Sequence, residues 1–162
     1  NMLPLGTKAP DFLLPASNFN TNFNFAECKG QKGTLVMFIC NHCPFVIHVI
    51  EEIVMIANDY RVQGIGIVAI SSNDIINYPQ DAPDKMADFA LDNKIEFPYL
   101  YDESQEVAKA YDAACTPDFY LFDSQDKLVI AGKWTILDLE MKYPLVVAIY
   151  VMLLIALFII AI

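Results

Sequence analysis

The sequence predicts an α/β domain built on a sheet of mixed strand direction, followed by one transmembrane helix. Three observations carry that expectation. Two continuous apolar runs of strand length, Thr34–Ile39 (TLVMFI) and Ile65–Ser71 (IGIVAIS), flank a helical stretch at Pro44–Tyr60. That is the pattern of a βαβ crossover in a covered sheet. Further on, Phe119–Asp123 and Lys127–Ala131 are separated only by Ser124-Gln125-Asp126, as in an antiparallel hairpin. Finally, the chain closes on LVVAIYVMLLIALFIIAI (Leu145–Ile162), which carries no charge.

Taken in order, the elements begin with an irregular stretch over residues 1–33, punctuated by Pro4, Pro10 and Pro15. Within it the alternating FNTNFNF (Phe19–Phe25) suits an edge strand or hairpin. After the first buried strand comes the helix Pro44–Tyr60. At about 100° per residue its core arc collects Phe45, Val46, Val49, Ile50, Ile53, Ile56, Ala57 and Tyr60. His48, Glu51, Glu52, Asn58 and Asp59 fall opposite, while Ile47 and Val54 widen the apolar arc toward solvent. Gly64 and Gly66 end the helix before the second strand. Pro83–Asn93 is a helix opened by proline with acids in its first turn, and Glu103–Ala114 is a further short helix. The hairpin completes the sheet.

Eighteen uncharged residues in a helix span about 27 Å, close to the hydrocarbon thickness of a bilayer. Pro144 suits a helix start, and Trp134 and Tyr143 suit an interface. A buried core helix would keep a polar stripe, and this run has none. The expected organisation is a domain over 1–132, a connector over 133–143 and a membrane helix over 144–162. Lys133 and Lys142 flank the entry to that helix, which places the domain on the cytoplasmic, stromal or matrix side. The opening at Asn1 leaves room for a targeting segment ahead of it.

With 20 acidic against 10 basic residues and a net charge of −10, the surface repels phosphate backbones. No Lys/Arg cluster reverses this locally, so nucleic-acid binding is disfavoured.

The cysteines are Cys28, Cys40, Cys43 and Cys115, and their irregular spacing is not that of a disulfide scaffold. One CxxC with two single cysteines points to redox chemistry or metal. Placed at a helix start, as Cys40-Asn41-His42-Cys43 is, the first cysteine gains from the free amides and dipole of the first turn, which lower a thiol pKa. The second, one turn on, can close the disulfide, and His42 can add to thiolate stability. Cys40 would be the exposed nucleophile and Cys43 the more buried resolving thiol. Zinc normally takes four ligands, and here only Cys28, Cys115, His42 and His48 are scattered around the pair, so no metal is expected. A peroxidase needs an activating cation, and Arg61, the single arginine, lies far down the helix. Asp118 and Asp123 read as turn residues.

The segments MLPLGTKAPDF, LVMFICNHCPFV, VAISSND and FPYLYDESQEVAKAYDAACTPDFYLFD, with the following KLV, resemble a thioredoxin-like redoxin family related to the alkyl hydroperoxide reductase/thiol-specific antioxidant group. The resemblance covers roughly Met2–Gly132, and CNHCPF and ACTPDF are its most specific parts. It implies a thioredoxin-like fold, a central mixed sheet flanked by helices, with CNHC at a strand–helix junction. It implies that Cys40 and Cys43 are the redox pair, and that Thr116-Pro117 is a cis-proline turn shaping the substrate groove. Cys115 would be a nearby third thiol. Three departures stand out. Ile47 replaces a lysine common in relatives, Asn-His stands where thioredoxin has Gly-Pro, and after Gly132 the family's final covering helix gives way to KWTILDLEMKYP and the apolar run. A sheet without that helix would leave an apolar face to be covered by Thr135–Met141 or by a neighbouring protein.

Two functions follow. One is a membrane-anchored thiol–disulfide oxidoreductase acting on protein disulfide or dithiol clients, with no cofactor. The other is a non-enzymatic single-pass subunit of a larger respiratory or photosynthetic membrane complex, the domain serving as scaffold. Both place the chain against a lipid bilayer, and the absence of His, Asp or Glu in the run speaks against an ion path through it.

Overall fold

The computed structural model describes residues 3–133. Of the expected connector only Lys133 is among them, where it ends the last strand of the sheet rather than opening a connector; the expected membrane helix lies outside them. Among the described residues no helix is long and apolar enough to cross a membrane.

The chain opens with a small hairpin, β1 (Leu13–Pro15) paired antiparallel with β2 (Asn22–Asn24), and a single helical turn, α1 (Phe25–Cys28). Asn24 caps that turn reciprocally with Glu27, a capping box. The alternating Phe19–Phe25 stretch thus divides between a strand and a helix start. The central elements follow: β3 (Gly33–Phe38), α2 (Pro44–Arg61), β4 (Ile65–Ser71), a 3-10 turn (Pro79–Asp81) and α3 (Pro83–Asp92). Then come β5 (Tyr99–Tyr101), α4 (Glu106–Ala110), β6 (Asp118–Asp123) and β7 (Leu128–Lys133).

Five strands form one sheet in the order β5-β4-β3-β6-β7. β3, β4 and β5 run parallel, and β6 and β7 are antiparallel to their neighbours, which is the mixed sheet expected. β5 was not anticipated: Pro98 and its three-residue length hide it, and only pairing with Ala69–Ser71 makes it a strand. α4 is shorter than Glu103–Ala114 because Gln105 and Asp112, at φ 63 and 54, interrupt the helix on either side.

Side chains alternate across the pleat, so each strand feeds two cores. Leu35, Met37, Ile67, Ala69 and Leu121 pack under α2 and α3 with Val46, Ile50, Ile53, Ile56, Ala57, Tyr60, Met86 and Ala90. The expected arc of α2 therefore faces the sheet, with Phe45 and Val49 half-buried at its edge. Val54, expected to reach toward solvent, is buried, whereas Ile47 is exposed. On the opposite face, Val36, Phe38, Val68, Ile70, Tyr120 and Phe122 meet Phe12, Leu14, Phe25 and Tyr111. On this second face the proline-punctuated N-terminal stretch supplies much of the cover, through Phe12, Leu14 and Phe25. Every residue of the central strand β3 is buried, whereas Val129 and Ile130 of β7 are only partly buried; the Thr135–Met141 cover expected for a sheet without its final helix lies outside the described residues.

Candidate active site

Strand register builds the site. β3 and β6 are antiparallel with Phe38 opposite Asp118. Two residues further out, the same register carries Cys40 opposite Thr116. The Thr116-Pro117 peptide is cis, as the resemblance implied. Cys40 Sγ lies 3.3 Å from Thr116 Oγ1, and the Cys43 thiol donates to the Thr116 carbonyl at 3.6 Å. Cys43 is the N-cap of α2, with Pro44 in its first turn, where a missing N–H costs nothing.

The Thr116 contacts distinguish the two sulfurs. A carbonyl only accepts, so the bond to it requires Cys43 as a thiol. A hydroxyl can donate, and it is available to a thiolate at Cys40. The Cys43 backbone N–H also donates to Cys40. This is the arrangement expected of a nucleophilic Cys40 and a resolving Cys43.

Burial runs against the sequence expectation, however. Cys40 is 1 % exposed and Cys43 8 %, so the first cysteine is the more enclosed of the two. Burial pushes the Cys40 thiol above its ordinary value; the Thr116 hydroxyl opposes that shift, and the Asp81 carboxylate and Cys43 add to it. The lowered pKa expected from the helix start is therefore corrected. Cys40 sits three residues before the cap, in a pocket whose desolvation outweighs the donors it finds.

Asp81 is the residue that sequence reading missed. Fully buried at the end of the 3-10 turn, it accepts at Oδ1 from the backbone N–H groups of Asn41 (2.9 Å) and His42 (3.2 Å). At Oδ2 it accepts from Asn73 Nδ2 (2.8 Å) and pairs with His42 Nδ1. The CxxC loop is thus tied down by a carboxylate forty residues away. Asn41 extends the net to Tyr99, whose hydroxyl donates to its Oδ1 at 2.8 Å. The His42 ring stacks on Tyr78, centroids 4.9 Å apart and planes 8° from parallel. No spacing in the sequence links Asp81 to Cys40; in YPQDAPD it looks like a helix-opening acid.

Around these residues lies a groove of about 460 Å³, lined among others by Cys40, His42, Cys43, Tyr78, Lys109 and Cys115. The exposed Cys115 is therefore a third thiol on the same groove, as expected. Arg61 pairs with Glu96 at the far end of α2 (3.8 Å) and takes no part. His48 is exposed on the polar side of α2. Asp118 is not a turn residue: it is buried in β6 and accepts from the Tyr120 hydroxyl at 3.0 Å.

Donor atoms of Cys40, His42 and Asp81 lie within 4.8 Å of one another. Their chemistry does not fit a resident metal. A carboxylate offers about four lone-pair directions, and those of Asp81 already serve two amides, Asn73 and His42. A cation would have to displace the bonds that shape the loop.

Fold and site together define a thioredoxin-like domain with a dithiol facing a cis-proline turn. The chain belongs to the AhpC/TSA family, whose model matches residues 5–131. Among solved structures it is similar to an uncharacterized conserved protein from Geobacillus kaustophilus, at 51 % identity over 84 % of this chain and 72 % of that one, with a TM-score of 0.80. A hypothetical protein from Sinorhizobium meliloti is 44 % identical over 82 % of this chain and 72 % of that one, with a TM-score of 0.78. The thioredoxin domain of a thiol-disulfide oxidoreductase from Bacteroides vulgatus shares the fold at 18 % identity, covering 82 % of this chain and 91 % of that one, with a TM-score of 0.66. No curated protein matches the sequence.

Proposed function

We propose that this chain is a membrane-anchored thiol–disulfide oxidoreductase that reduces or oxidises protein clients through Cys40 and Cys43. In the reducing direction the Cys40 thiolate attacks one sulfur of a client disulfide. A Cys40–client bond forms, the client S–S bond breaks, and the second client sulfur leaves as a thiol. Cys43 then attacks Cys40, the Cys40–Cys43 disulfide forms, and the first client sulfur is released. Two electrons pass from the dithiol to the client. Thr116 and Pro117 shape the groove that receives it.

The observation that carries this reading is the unequal treatment of the two sulfurs by Thr116, hydroxyl to one and carbonyl to the other. Anchoring rests on the uncharged run Leu145–Ile162, with Lys133 and Lys142 favouring a cytoplasmic, stromal or matrix domain. Tethering would raise the effective concentration near membrane clients.

A second reading has one observation in its favour. Burial raises the Cys40 thiol, as in a dormant cysteine of a scaffold subunit in a larger membrane complex. Equilibration of the full chain, in mild detergent, with dithiothreitol buffers of graded potential separates the two. The enzyme reading expects reversible closure of Cys40–Cys43 by mass spectrometry, and expects Cys43→Ser to accumulate a mixed disulfide at Cys40. Cysteines that stay inert across the series would overturn it in favour of the scaffold.

A further inference from the structure

We propose that His42 carries the proton for the cysteine pair, delivering it to the departing client sulfur, and that Asp81 is the positioning residue that fixes the histidine for this task. The inference rests on the reading of Cys40 and Cys43 as a working pair and adds the acid–base half of its chemistry.

The geometry divides the imidazole into two ends. Nδ1 is held by Asp81 Oδ2, whose residue is fully buried. A carboxylate accepts from Nδ1–H, which leaves Nε2 as the nitrogen that gains and gives up a proton. The ring's orientation is fixed a second time by stacking on Tyr78 and a third time by the bond from the His42 backbone N–H to Asp81 Oδ1. The side chain is 29 % exposed and lines the same groove as Cys40 and Cys43. One of the two ring nitrogens lies within 4.8 Å of Cys40 Sγ, so the imidazole and the thiol stand side by side in the groove, where a water or an entering client sulfur can connect Nε2 to the reacting sulfurs.

Charge transfer follows this layout. Cys40 gives its proton to Nε2, and the imidazolium that forms faces the Asp81 carboxylate. As the client S–S bond breaks, the same proton passes to the leaving sulfur, so an alkyl thiol departs neutral. The imidazole is then ready to take the Cys43 proton in the second step. The charged and titratable groups around His42 are Asp81 and Tyr78 from the 3-10 region, Cys40 and Cys43 from its own loop, and Tyr99 behind Asp81. Lys109 and Cys115 line the same groove. Among these, Asp81 alone combines full burial with a direct bond to the ring.

Leaving-group chemistry supplies the test. A leaving sulfur of low pKa, such as an aromatic thiolate, departs faster by itself, so an alkyl sulfur of higher pKa gains more from a delivered proton. The full chain in detergent, reduced beforehand, is followed by stopped flow against 5,5′-dithiobis(2-nitrobenzoate) and against oxidised glutathione, for wild type, His42→Gln and Asp81→Asn. General acid–base groups typically contribute about 10²-fold or more. His42→Gln is therefore expected to slow the glutathione reaction about a hundredfold while slowing the aromatic one at least about tenfold less. Asp81→Asn should shift the same ratio in the same direction; if that variant does not fold, His42→Gln decides alone. Equal slowing of both probes, the mark of a purely structural role, overturns the proposal, and so does no slowing of either. In both cases the oxidoreductase reading stands. A wild type that reduces neither probe removes the reading and the proposal together.

Discussion

Cys40 Sγ and Thr116 Oγ1 face each other at 3.3 Å across the antiparallel β3–β6 register. The hydroxyl is the side-chain donor that opposes the desolvation of the buried thiol. Thr116→Val keeps the shape and removes the donor. A hydrogen bond to a charged group contributes about 1.5–3 kcal/mol, or about one to two pKa units. Iodoacetamide labelling of Cys40 at neutral pH should therefore slow about tenfold or more, with Cys115 labelling unchanged as an internal control. An unaltered Cys40 rate would show that the hydroxyl does not reach the thiolate.

The wild-type labelling profile has its own sign. Burial and Asp81 both raise the Cys40 thiol, and the donors from Thr116 and the Cys43 N–H do not offset them. A free thiol titrates at about 8.5, so the Cys40 labelling rate should still be climbing above that pH. In a dithiol enzyme a low-pKa thiolate stabilises the reduced pair and makes a strong oxidant, so a raised Cys40 withholds that stabilisation and points toward a more reducing pair. A plateau reached below pH 8, followed cysteine by cysteine with mass spectrometry, would contradict the burial argument.

How far the sequence could be read depends on the range of the interaction that decides each feature. The βαβ unit and the hairpin are written in local periodicity, and the core arc of α2 from Val46 to Tyr60 follows directly from it. Cys40, Cys43, His42, Thr116 and Pro117 were legible because two short motifs carry them, and the register of β3 with β6 brings those motifs together. Asp81 was not legible: its partners Asn41, His42 and Asn73 meet it only through the packing of the 3-10 turn. The order of burial was missed for the same reason. A helix start near a cysteine is visible in sequence, whereas the enclosure of Cys40 depends on residues from β5 and the 3-10 turn. Leu14 and Phe25 likewise cover the second sheet face from a stretch with no periodicity to announce it.

Gly66 is required by a close backbone approach. A Cβ built there would stand 2.2 Å from the Cys28 carbonyl oxygen and 2.4 Å from Gly30 N. Neither neighbour is a side chain that could swing aside, and Gly30 is hemmed in reciprocally by Gly64 O and Gly66 N at 2.3 Å. Gly66→Ala must push β4 away from the segment after α1. The expected loss is about 3 kcal/mol or more, at or beyond the upper end for overpacking. Urea unfolding should show a lower midpoint with an unchanged slope, and an unshifted midpoint would mean that the two backbones part at little cost.

Cys28 makes stability fall at alkaline pH. It is buried on the second sheet face, and desolvation, with Glu27 adding to it, pushes its thiol from 9.0 up to about 12. Between these values the unfolded chain has released the Cys28 proton while the folded chain still holds it. The folded state then binds more protons, so unfolding free energy decreases as pH rises. The contribution is complete below about pH 9 and is lost on the way to about 12. Burial pushes the Tyr111 and Tyr120 hydroxyls in the same direction, so the wild type keeps a slope even without Cys28, and the comparison must be between slopes. Cys28→Ala is expected to lower stability at pH 7 through the volume it removes, yet to lose less of what remains between pH 9 and 11. Denaturant titrations of both proteins across that interval measure the difference. Parallel stability curves would place the Cys28 ionisation outside the window and refute its burial as the cause.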